Sequence, residues 1–77
     1  MRDDITIMPA DSSLAKLRMD QATKRLASTD WQPLAAISCG GVLVRHSVTG
    51  RLAEHFGTHI GSVNERKAKA ALAEVGA

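Results

Sequence analysis

Leu14, Leu17, Ala22 and Leu26 follow one another at roughly helical spacing, with Lys16, Lys24 and Arg25 off that stripe. Asp11, Ser12 and Ser13 stand before it as N-caps, so the pattern predicts a first helix over 12–28. Trp31, Leu34 and Ile37 form a second apolar face. Thr29 or Asp30 serves as its cap, Pro33 is tolerated in its first turn, and Gly40-Gly41 stops it. The run Val42-Leu43-Val44 fits either an extended link or the start of a buried helix. Ser47 is a cap for a third helix over 48–56, and a fourth is predicted over 61–75, ending at Gly76. Ahead of these, Ile5 and Ile7 alternate briefly before Pro9, and 1–10 reads as a flexible N-terminal arm. The expectation is an all-α bundle of about four helices, with one domain over 11–77.

Gly57 is the position that calls for a reason. Glycine inside a helix costs about 1 kcal/mol relative to alanine. A sharp turn between two helices needs a residue with positive φ, which glycine supplies without strain. Ala53 lies four residues before Gly57 and Val63 six after it. In a helix-turn-helix the small alanine lets the second helix cross closely, and the branched residue anchors that helix in the core. Leu52 and Phe56 then face inward. The spacing fits a helix-turn-helix over 48–71.

The stretch GVLVRHSVTGRLAEHFGTHIGSVNERKAKAALAE, residues 41–74, resembles the central region of the KorA/TrfB plasmid repressors. The shared features are the Gly-Val-Leu-Val lead-in and the pattern of Ala53, Gly57, Gly61 and Val63. The resemblance implies an all-helical, plasmid- or phage-type transcriptional repressor. Such a protein binds palindromic double-stranded DNA as a homodimer, without a cofactor.

Charge refines that expectation. The formal net charge of the 77 residues is +2. Over 1–38 acids and bases cancel. Over 39–77, Arg45, Arg51, Arg66, Lys67 and Lys69 outnumber Glu54, Glu65 and Glu74 by two. On a second helix of the motif, Ser62, Asn64, Glu65, Arg66 and Lys69 become the candidates for the DNA-facing side. Asn64 suits adenine, Arg66 guanine and Glu65 cytosine. Lys67 and Lys69 suit phosphates, and Gly61 and Ser62 open the helix start to one. Arg45, His46 and Arg51 would clamp flanking backbone, with His59 beside them.

Other chemistry is less well served. On a continuous helix His55 and His59 would face one way and could hold zinc. Gly57 between them breaks that helix, which leaves two exposed histidines and no metal. No nucleophile-elbow pattern surrounds Ser47 or Cys39, so no enzyme and no small-molecule substrate are expected. A single cysteine excludes an intramolecular disulfide and fits a reducing cytoplasm. No apolar run reaches a membrane span. The alternative function is a small helical protein–protein interaction module, of the phage inhibitor or adaptor kind, with Leu14 and its neighbours on the first helix as contact surface.

Overall fold

The structure, a computed structural model, describes residues 5–9, 11–38 and 40–76. It corrects the all-α expectation: the chain is a small α+β fold. Its elements run α1 (Ser13–Arg25), β1 (Trp31–Ala36), β2 (Val42–His46), β3 (Leu52–Phe56), β4 (His59–Ser62) and α2 (Glu65–Gly76). The strands form one antiparallel sheet in the order β1-β2-β3-β4. The two predicted central helices, the helix-turn-helix over 48–71 and the all-helical fold implied by the repressor resemblance are therefore not what the chain adopts. The outer two helices are found, each shorter than expected.

Each element has a local cause. Ser12 caps α1, its side chain accepting from the Ala15 N–H at 3.4 Å. Lys24 and Arg25 sit in its last turn, where cations suit the helix dipole. In β1, Pro33 lacks an N–H to give, which suits an outer strand. The β1–β2 register shifts between Pro33 and Ala35, a bulge that breaks simple alternation.

The helices lie on opposite faces of the sheet. Ala22 of α1 and Leu26, its C-cap, pack with Val42, Val44 and Ala53. Ala68 and Leu72 of α2 pack with Leu43, Leu52, Val63 and Ile37. Val42, Leu43 and Val44 thus alternate between two cores. A strand buried on both faces reads as a continuous apolar run, which is why its sequence shows no period of two. The segment 5–9 runs beside the end of β1: Ile7 bridges Ile37, the Met8 N–H donates to Ala36 at 2.8 Å, and the Ser38 N–H donates to Thr6 at 2.8 Å. Ile5 and Ile7 join the second core.

Gly57 has its reason here, and it is a strand reason. Phe56 pairs with His59, so Gly57 and Thr58 are the two residues of a hairpin loop. Gly57 has φ +62° at the first of them, where a type II′ turn places glycine. A Cβ built there would meet nothing within 4 Å. Gly57→Ala is therefore expected to act through the backbone alone, destabilising by about 1–2 kcal/mol in denaturant unfolding, with Gly57→Asn costing less. In a turn between helices over 48–56 and 61–75 the same change would loosen helical amides on both sides; in the hairpin it loosens β3–β4 amides first.

Candidate binding groove

The site is built around the β3–β4 half of the sheet. The register places His46 across from Trp31, Ala53 across from Val44 and Ser62, and Ile60 across from His55. Alternation puts these residues on the face that α1 covers. The helix packs chiefly over β1 and β2. Beyond it the face opens into a groove of about 720 Å³. Ala53 and Ile60 give it an apolar floor and Trp31 an aromatic wall. Thr49, Arg51 and Ser62 supply polar rims, and Asn64 and Glu65 close the end where α2 begins.

His46 is fixed by four neighbours. Its Nδ1 accepts from the Val48 and Thr49 N–H groups at 3.3 and 3.2 Å, which ties down the β2–β3 turn. An accepting Nδ1 leaves the neutral ring's proton on Nε2, which faces Asp30 at 3.9 Å. Trp31 meets the ring edge-on at 5.0 Å. Among the described residues no hydroxyl or thiol donates to this imidazole, so it acts as a brace for the turn and the tryptophan.

Of the residues singled out as a DNA-facing set, six line this groove: His46, Arg51, Gly61, Ser62, Asn64 and Glu65. Besides His46, two of them are occupied. Asn64 caps α2, its Oδ1 accepting from the Lys67 N–H at 3.2 Å. Glu65 accepts from the Leu52 N–H at 2.9 Å, which pins the start of α2 to β3. Arg66 and Lys69 are exposed on α2, as is Lys67. Arg45 is exposed on the opposite face, across from Gln32. His59 is exposed and leans on Phe56, ring centroids 5.4 Å apart.

The histidine pair also needs correcting. His55 is 7% exposed and only His59 is open to solvent. They fall on opposite faces of the hairpin, and among the described residues no group of three or more metal-ligating side chains converges. Cys39 lies outside the described residues. Burial, and after it the Arg25 cation, push the His55 pKa below its usual 6.5. The folded state thus favours the neutral ring. Its contribution to stability is present above pH 6.5 and is lost as the pH falls from there towards the folded pKa, where the unfolded chain binds more protons. Denaturant midpoints measured between pH 7.5 and pH 5 are expected to fall, and the His55→Gln variant should lose that part of the slope.

Trp31 was expected on an apolar helix face, and neither it nor Ile60 was among the expected site residues. Trp31 and Ile60 lie far apart in the sequence, and only the pairing of the strands puts them on one face. Comparisons with protein families, curated proteins and solved structures return no match for this chain. Among the described residues no helix is long and apolar enough to cross a membrane.

Proposed function

We propose that the protein is a binding module for an extended segment of a partner protein, which adds to the sheet as a fifth strand along β4. The observation that carries this is the outer edge of β4. In a two-residue hairpin the Phe56–His59 pair is hydrogen-bonded, so by alternation Ile60 and Ser62 turn their main-chain groups away from β3. Among the described residues nothing pairs with them. Ile60 and Phe56 beside this edge are 37% and 44% exposed.

The groove supports the same reading. A segment paired to β4 sends alternate side chains onto the α1 face, where Ile60, Ala53 and Trp31 offer apolar contact. The charges there are one arginine, Arg51, and one glutamate, Glu65. A near-neutral lining favours an uncharged, apolar-alternating segment over a phosphate backbone, whose affinity scales with the cations it meets. A second copy fits less well. Four residues of flat edge bury far less than the roughly 1,000 Å² of a stable interface, and a flat edge cannot fill a concavity.

Selection from a random peptide library, with an Ile60→Pro variant as counter-selection, tests the proposal. Enriched peptides with alternating apolar positions and no affinity for the variant are expected. Failure to enrich, or enrichment indifferent to the variant, overturns it. Sedimentation of the free protein reports the homodimer, and a salt titration with duplex DNA reports the repressor. Duplex affinity that falls by orders of magnitude between about 50 and 200 mM salt would favour the DNA reading instead.

A further inference from the structure

A second cavity opens between α1 and the far ends of β2 and β3. It holds about 70 Å³ and is bordered by Arg18, Gln21, Arg25, Gly40, His55 and Gly57. Each arginine is tethered to the main chain. One nitrogen of Arg18 donates to the Ile37 carbonyl at 3.1 Å and one of Arg25 to the Gly57 carbonyl at 2.7 Å. A guanidinium has five N–H donors, so most remain available on groups whose position is already fixed. Among the described residues neither arginine pairs with a carboxylate, and no carboxylate lines the cavity. Lys24 on the same helix, by contrast, has Asp20 at 3.3 Å. Among the described residues, two held cations therefore border one small cavity with no counter-charge, beside a buried imidazole.

We propose that this pocket binds a single phosphate dianion, free or as the terminal group of a monoester, between Arg18 and Arg25, with Gln21 and His55 as neutral donors. The proposal is independent of the β4 edge. Two planar guanidinium forks approaching from separate points of α1 suit a tetrahedral oxyanion carrying two charges better than a planar carboxylate. The volume of about 70 Å³ suits one such group, and the rest of a monoester would project through the opening.

The test follows the imidazole resonances of the full chain at pH 7.5 as inorganic phosphate replaces chloride at constant ionic strength. A saturable shift confined to His55, with His46 and His59 unmoved, is expected. A bound dianion favours the imidazolium, so the His55 titration should also move upward. Arg18→Gln and Arg25→Gln should each weaken binding by about tenfold or more. Arg25 is exposed, so its variant decides the matter if Arg18→Gln fails to fold. Equal binding of phenyl phosphate assigns the site to a phosphorylated ligand, and binding of inorganic phosphate alone assigns it to the free anion. A His55 signal unmoved at tens of millimolar phosphate, one unaltered in Arg25→Gln, or equal binding of the diester dimethyl phosphate overturns the proposal.

Discussion

Leu43→Ala is expected to destabilise the protein by about 2–5 kcal/mol. Leu43, the second residue of β2, is 0% exposed and packed with Ile37, Leu52, Val63 and Ala68. Its neighbours cannot close the space. Ile37 is held by its own strand pairing, and Ala68 is already the smallest side chain that α2 can present there. Domains of this size are stable by only about 4–12 kcal/mol, so the loss takes a large share of the total. Leu43→Met, which nearly conserves volume, should cost less than about 1.5 kcal/mol. Denaturant unfolding of the pair measures both. If residues 42–44 were an extended link between helices, the two variants would differ little. A Leu43→Ala cost under about 1 kcal/mol would contradict a central strand buried on both faces.

Ile60→Pro should separate folding from binding. The Ile60 N–H points away from β3, so proline there removes no bond of the β3–β4 ladder, and an outer strand tolerates it. Stability should stay within about 1 kcal/mol of the parent. Binding of a β4 ligand should weaken by about a hundredfold, from the lost donor and from the ring standing where the incoming strand lies. Ile60→Thr keeps the donor and the branched shape; it should lose only the apolar contact, by about tenfold. A variant that folds and still binds would move the site away from this edge.

The outer helices were legible because nothing competes with their patterns. Ser12 caps α1 as its sequence suggests, and Ala22 and Leu26 do face the core. The same stripe misled in part, since Leu14 and Leu17 are 46% and 53% exposed. The middle of the chain was misread for physical reasons. Leu34, Ala35, Ala36, Leu52, Ala53 and Glu54 are strong helix formers that the pairing of four strands overrides. The bulge after Pro33 hides the alternation of β1, and burial on both faces hides that of β2. Gly57 marks a tight turn in either fold, and the residues around it do not say whether helices or strands meet there. The groove was half legible: six of its residues drew notice as a DNA-facing set, but only the pairing of the strands brings them to Trp31 and Ile60. The arginine pocket was not legible, because Arg18, Arg25 and His55 are brought together by packing α1 on the sheet.

Amide hydrogen exchange on the free protein and on its complex with a selected peptide tests the β4 assignment most directly. New protection is expected at Ile60 and Ser62, with His59 and Gly61, already bonded to β3, changing less and Arg66 to Lys69 unchanged. Protection confined to α2, or none on β4, would contradict it.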